Sequence, residues 1–352
     1  MSIAEAVMEE AEFLLHKRQL TQALKQFNEA DALGADTNRC AAGRWMAHML
    51  LGNFQLAWRE SDVIRTRTPH DPNLFWRGED LHGKRVVLRC LHGFGDAVQF
   101  LRFVPWLRAI AAHVVVEVPP RLLELAPMLA EVEQVITWEE KSPPEWDVQV
   151  EISELLHLFR VDVAQLPMAE RYLRIPPAII ARHAISPRRA ASLKVGVVWA
   201  GGEWNPSRSI PFEDIRRILH VKGCEFWNLQ GGKARSVWPV GLDQLHAAEQ
   251  CEESIIALTE LIAQMDLVIT SDTLAAHLAG AQGVPCWVIL QHAADWRWMH
   301  LRDDSPWYPS IRLFRRGRCE GWAGPVSRVA SALHTLVAQR RAVQEATTAS
   351  SS

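Results

Sequence analysis

Two hydrophobic patterns share this chain. Residues 1–80 carry apolar side chains at helical spacing, among them Leu14, Leu20, Phe27, Trp45 and Phe54, and read as successive amphipathic helices. His82-Gly83 breaks that pattern. Beyond it, short apolar runs predict strands over 85–90, 113–118, 134–138, 147–150, 194–200, 224–229, 267–270, 285–290 and 311–314. Helices are expected between them, over 97–111, 120–130, 211–219, 255–264 and 273–281, with a last one over 324–343. Such alternation predicts an α/β protein whose parallel sheets are covered on both faces. Pro176-Pro177 and the basic stretch from Arg182 to Arg189 read as a linker between two α/β units.

The first region repeats itself. Leu20-Thr-Gln-Ala23 matches Phe54-Gln-Leu-Ala57, one tetratricopeptide period of ~34 residues later. Gly52-Asn53-Phe54 reads as the turn between the helices of a repeat, and Pro69 falls where the second repeat should end. Two units are fewer than the ~3 that a stacked array needs to stand alone, so this module is expected to pack on the rest of the chain. It reads equally as a docking surface for an acceptor or partner and as a stabilising cap or dimer contact.

Two strand–turn–helix corners carry the candidate chemistry. In one, the run Met265 to Thr270 leads through Ser271-Asp272-Thr273 into a small-residue helix that ends at Gly283-Val-Pro285. In the other, Arg85 to Cys90 leads through Gly93-Phe-Gly95-Asp96 into a helix. Helix starts present backbone N–H groups and a positive dipole end, which suits a phosphate or a sugar hydroxyl. Asp96 and Asp272 would equally serve as helix caps. His277 lies one turn past Thr273 on the same face, as a ligand contact or as a packed core histidine. Arg208 follows the small-residue loop that begins at Trp199, and a fixed cation there would neutralise a diphosphate; a plain surface arginine is the alternative. Gln230 stands in the glycine turn Asn228-Leu-Gln-Gly-Gly-Lys233, a weak signal alone, since turns use glycine everywhere.

Taken in order, several stretches resemble the family-nine glycosyltransferases, the ADP-heptose:lipopolysaccharide heptosyltransferase group, and within it the branch preceded by tetratricopeptide repeats. They are Gly93 to Arg102, Val195-Gly-Val-Val-Trp-Ala-Gly201, Arg208-Ser209, Ser271 to Gly280, Asp295-Trp-Arg-Trp298 and Asp304 to Phe314, spread over roughly residues 80 to 325. The resemblance implies a GT-B fold, two Rossmann-like domains facing a cleft, behind an all-α module. Its expected divisions are residues 1–80 for the repeats, 81–180 for an acceptor domain, 190–325 for a nucleotide-sugar domain, 326–343 for a C-terminal helix crossing back over the acceptor domain, and 344–352 for a disordered tail. It implies Asp96 as catalytic base and Gly95, Gln99 and Arg102 as acceptor-side contacts. It implies donor contacts at Gly201, Arg208, Gln230, Asp272, Thr273, Leu274 and His277. The activity implied is inverting, metal-independent transfer from a nucleotide-diphosphate sugar to a glycan, lipid-linked or protein acceptor, with no further cofactor. Heptosyltransferases often carry lysine where Arg208 stands, which leaves the donor's identity open between ADP-heptose and others.

Composition narrows the alternatives. The formal net charge is −3 with no long basic block, which speaks against a nucleic-acid surface. Six scattered cysteines without a CxxC pair read as buried thiols in a reducing compartment. Neither a signal peptide nor a run of ~18 apolar residues is present, so a cytoplasmic address is expected, with peripheral contact at the inner membrane compatible. Asp303-Asp304 beside His300 lacks a helix or strand to set ligand geometry, and no metal site is expected there. The 15 tryptophans divide between strands, as at Trp199 and Trp287, and loops at 204, 296, 298 and 307, where they could stack on a sugar or base or simply pack. A dinucleotide oxidoreductase would need a GxGxxG after a strand, which is missing. The remaining rival is a non-catalytic repeat scaffold whose transferase domain only binds nucleotide or glycan.

Overall fold

The structure, a computed structural model, describes all residues except 1, 68–74, 130–131, 142–143, 167–170, 177–184, 186–191, 203–204, 240–243, 249–253 and 351–352. Pro69, Pro177, Trp204, Cys251 and all of the stretch from Arg182 to Arg189 except Ile185 fall outside the described residues.

Four helices come first: α1 Ile3–His16, α2 Leu20–Ala32, α3 Thr37–Leu51 and α4 Phe54–Arg67. Local chemistry sets their ends. The Ser2 hydroxyl accepts from the Glu5 N–H and the Asp36 carboxylate from the Arg39 N–H, each satisfying an orphan donor of the helix start. Gly52 ends α3 at φ 77°, a left-handed conformation that a side chain would strain. Ala23 and Ala57 are both fully buried, so each marks a point where two helices approach closely.

Two parallel sheets follow. The first has the order β3 (Gln134–Thr137), β2 (His113–Val118), β1 (Arg85–Arg89), β4 (Val148–Glu151). The second has the order β10 (Ile311–Arg315), β9 (Cys286–Leu290), β8 (Leu267–Ser271), β5 (Leu193–Val198), β6 (Cys224–Asn228), β7 (Leu245–Ala247). Every pairing between these strands is parallel. Strands β6 and β8 are buried at every position, as expected for sheets covered on both faces. Strand order reverses around β1 in one sheet and between β5 and β8 in the other, and crevices open at such points beyond the strand C-termini.

Helix α5 (Phe94–Phe100) leaves the β1 corner, and α6 (Val104–Arg108) continues it after a tight turn over Leu101–Phe103. The single helix expected over 97–111 is therefore two short ones. In the second sheet, α8 (Phe212–Ile215) and α9 (Ile255–Ala263) precede α10 (Leu274–Ala281); α7 (Leu155–Leu158) belongs to the first. The C-terminal helix α11, Ala323–Ser350, corrects two expectations. It stays on its own sheet, with Val326, Val329, Leu333 and Val337 packed in one cluster with Val195, Ile218, Leu267 and Ile269. It also continues through the polar stretch expected to be a disordered tail. Gln344-Glu-Ala-Thr-Thr contains no glycine or proline, and the Thr347 hydroxyl donates to the Val343 carbonyl, so nothing local stops the ladder.

One continuous core joins all three parts. It runs from Met49, Phe54 and Trp58 of the helical module through Val86, Leu88 and Val116 of the first sheet to Val268, Ala275 and Val288 of the second. Phe54 is fully buried with ring centroids 5.8 Å from both Trp58 and Trp307. Truncating it to alanine removes contacts to two parts of the molecule at once, at about 3–5 kcal/mol. Polar ties reinforce the docking. Trp58 Nε1 donates to the Val161 carbonyl at 2.7 Å, the His300 N–H donates to the Leu50 carbonyl at 2.8 Å, and Arg160 holds both oxygens of Asp62 at 2.7 and 2.9 Å.

Candidate active site

Asp96 is the third residue of α5 and faces two ways. Its Oδ2 accepts from the Gly93 N–H at 3.0 Å, the capping bond that its position suggests. Its Oδ1 meets Arg297 Nη2 at 2.6 Å, across from the loop after β9. Arg297 Nη1 in turn holds Asp295 Oδ1 at 2.8 Å, and its guanidinium lies 4.6 Å from the Trp296 ring centroid. Burial disfavours the Arg297 charge, but Asp295 and Asp96 outweigh it and hold the guanidinium above the usual arginine range. A carboxylate–guanidinium–carboxylate chain thus spans the two halves.

A cavity opens on each side of this chain. The larger, about 700 Å³, has Asp96, Arg297, His92 and Glu154 on its α/β side and Trp45, Trp58, Ser61 and Arg65 of the helical module opposite. The smaller, about 370 Å³, has Arg208, Asp272, Asn205 and Asp295 on one side and Glu12, Leu15, His16, Arg18 and Met46 opposite. Trp296 borders both.

Arg208 and Asp272 meet at 3.7 Å, Nη1 to Oδ2. Burial raises the Asp272 pKa, Asp295 adds to the rise, and Arg208 opposes it. Gly201 is close by: a Cβ added there would lie 3.7 Å from Arg208 Nη2 and 3.8 Å from the Thr273 methyl. Thr273 precedes the first turn of α10 and shares a 2.9 Å hydroxyl contact with Thr270, which leaves its backbone N–H and that of Leu274 at the open helix end.

Three of the expected contacts, Gln230, His277 and Arg102, have other partners, and a fourth, Gln99, is buried. Gln230 is only 5% exposed, and its amide is spent on backbone. Its Oε1 accepts from the Trp199 and Ala200 N–H groups at 2.9 and 2.8 Å, while Nε2 donates to the Ala200 and Gly231 carbonyls. It staples the end of β5 to the end of β6. His277 lies in the seam between α5 and α10, where a Cβ on Gly95 would stand 2.7 Å from its ring. Its Nδ1 is 3.0 Å from the Tyr308 hydroxyl and its ring stacks on Trp298. Burial, then Arg297, Arg102 and Arg208, push its pKa down to about 3, so the imidazole is neutral. Arg102 is also buried in the seam: Nη1 donates to the Trp307 carbonyl at 2.6 Å, Nε to the Gln99 carbonyl at 2.8 Å, and the guanidinium covers the Tyr172 and Tyr308 rings. Gln99 is fully buried beside it. The tryptophans at 296, 298 and 307, candidates for stacking on a ligand, are all under 10% exposed and build this aromatic seam.

Arg297 and its pairing with Asp96 were not legible. The run Asp295-Trp-Arg-Trp marks the loop, but only folding shows which carboxylates the guanidinium bridges. The four cysteines 40, 90, 224 and 286 are buried as expected, whereas Cys319 is exposed. Asp304 is engaged by Arg302 at 2.6 Å, and among the described residues no cluster of three His, Cys, Asp or Glu is arranged to hold a metal. No helix among the described residues is long and apolar enough to cross a membrane.

No protein-family model matches the chain. Among solved structures, a family 9 glycosyl transferase from Veillonella parvula superposes with a TM-score of 0.53 at 12% identity, covering 74% of this chain and 99% of that one. The ADP-heptose lps heptosyltransferase II of E. coli gives 0.51 at 16% identity, covering 73% and 99%. The fold is theirs. The helical region has no tetratricopeptide assignment from these comparisons, and its four packed helices are the whole of what is established for it. Among curated proteins, Protein FlbA of Caulobacter vibrioides is 26% identical over 312 residues, 76% of this chain. This chain spans about half of that relative's length, 49%.

Proposed function

We propose that the chain is an inverting glycosyltransferase that uses a nucleoside-diphosphate sugar, with ADP-heptose as the first candidate donor. The observation that carries the reading is the pair of corners: Asp96 at the switch point of one sheet, held through Arg297 to Asp295, and the Arg208–Asp272 pair at that of the other, lining the same small cavity as Asp295. The donor's diphosphate takes Arg208 and the N–H groups of Thr273 and Leu274, while Asp272 accepts from sugar hydroxyls. The acceptor enters by the larger cavity and gives its hydroxyl proton to Asp96 as its oxygen attacks the anomeric carbon. The C–O bond to the diphosphate breaks on the far side, and its developing charge falls on Arg208. No divalent ion is assigned a part.

The likeness in fold to a heptosyltransferase supports this donor class, and the residues named are this chain's own. The test is release of ADP from ADP-heptose by the full chain. Asp96→Asn should lower turnover by roughly 10²–10⁴-fold with ADP affinity unchanged; turnover near that of the parent removes Asp96 from the mechanism. Chelator should leave the rate unchanged, and a loss restored by magnesium would refute metal independence.

A further inference from the structure

The helical module lines the smaller cavity as well as the larger one. Arg208 and Asp272 face a pocket of about 370 Å³ whose opposite wall is the last turn of α1 and the turn beyond it, through Leu15, His16 and Arg18. We propose that the helical module is a wall of the donor site, and that His16 faces the phosphate and sugar end of the nucleotide-diphosphate sugar; this rests on the donor reading above.

Three observations carry the placement. Arg18 takes a left-handed backbone, φ 60°, to end the α1 turn, and its guanidinium donates to the Ala294 carbonyl at 2.8 Å. That bond ties the end of α1 to the loop carrying Asp295. Trp45 of α3 packs edge-on against Trp296 at 5.7 Å, fixing the module at the rib between the two cavities. His16, in contrast, is exposed and makes none of these ties, so its imidazole is available to a ligand. A cavity of 370 Å³ is about 9 Å across, which brings side chains on opposite walls within reach of one sugar-phosphate unit.

The experiment is calorimetry with ADP on the full chain at low salt, comparing the parent with His16→Glu, His16→Ala and Arg208→Ala. A carboxylate at position 16, some ~9 Å from the β-phosphate, should weaken ADP binding about 10-fold. His16→Ala should weaken it less. His16 is exposed in the last turn of α1, so the melting temperature serves as a control and should move only by the small helix-end effect of a carboxylate there. ADP affinity within twofold of the parent for His16→Glu, together with a clear loss in Arg208→Ala, overturns the wall. If the parent itself does not bind ADP, or Arg208→Ala binds as the parent does, the donor assignment fails and this inference with it.

Discussion

Replacing Arg297 by glutamine removes the cation that joins Asp96 to Asp295. The parent side chains are 15%, 25% and 35% exposed for Arg297, Asp96 and Asp295, so water screens the two carboxylates in part once the guanidinium is gone. Breaking a fully buried pair costs about 3–5 kcal/mol. The partial exposure brings that to roughly 2 kcal/mol here, and the stacking of Arg297 on Trp296 at 4.6 Å adds about 1. Urea unfolding of the full chain should therefore register a loss of about 3 kcal/mol. Because one core runs through the module and both sheets, the loss should appear as a shift of a single transition. The informative comparison is a double-mutant cycle with Asp96→Asn. If the damage comes from leaving Asp96 unpaired, neutralising it recovers about 1–2 kcal/mol, and the two changes together cost less than their sum. Additivity within about 0.5 kcal/mol would refute the claim that Arg297 is held there by Asp96, whatever the absolute cost.

Asp272 and His277 offer further tests. The fold raises the Asp272 pKa, so charging this carboxyl costs more in the native state than in the unfolded chain; the stability is fully present at low pH and is lost as pH rises through the folded pKa. Asp272→Asn should accordingly raise stability at pH 7 while weakening the sugar contact proposed for Asp272, and a loss of stability would mean that Arg208 needs the carboxylate more than burial opposes it. His277 is depressed from 6.5 to about 3, so the unfolded chain binds its proton first and stability falls as pH drops from ~6.5 towards 3. His277→Gln, which can still reach the Tyr308 hydroxyl, should flatten that slope by on the order of 4 kcal/mol over the window; an unchanged urea midpoint-versus-pH curve would place the imidazole in water. Phe54→Ala should lower the stability of the module and of the sheets together, read as one transition rather than two.

The strands were legible because parallel sheets covered on both faces demand unbroken apolar runs. Expected and observed bounds coincide at 113–118, and most others differ by a residue or two at an end. Helices were less so. Over 97–111 the helical pattern is real, but Val104-Pro105 starts a new first turn, and proline at that point cannot donate to a ladder continued from α5. Strand β7, Leu245-His-Ala247, is a three-residue edge strand with one buried position, too short for any period to declare itself.

The corners of the site were legible and the occupations of its side chains were not, for a single reason. Strand–turn–helix corners are local, and glycine, aspartate and threonine mark them in any sequence. The partners of Gln230, His277 and Arg102 are 30, 31 and 205 residues away. Arg102 and His277 sit within the stretches that carry the resemblance and Gln230 in a glycine turn between two of them, which invites a ligand-contacting role for each. Their hydrogen bonds argue for a different one. Gln230 fixes the loop that leads to Gly201 and Arg208. His277, through the Tyr308 hydroxyl, and Arg102, through the Trp307 carbonyl, tie α10, which follows Asp272 and Thr273, and the end of α5, which carries Asp96, to one loop. A reaction that needs a base and a leaving-group donor held to a fraction of an ångström requires such supports as much as it requires the groups themselves. Their polarity is the cost of that precision, since an apolar seam could pack as well but would not set the register of one half against the other.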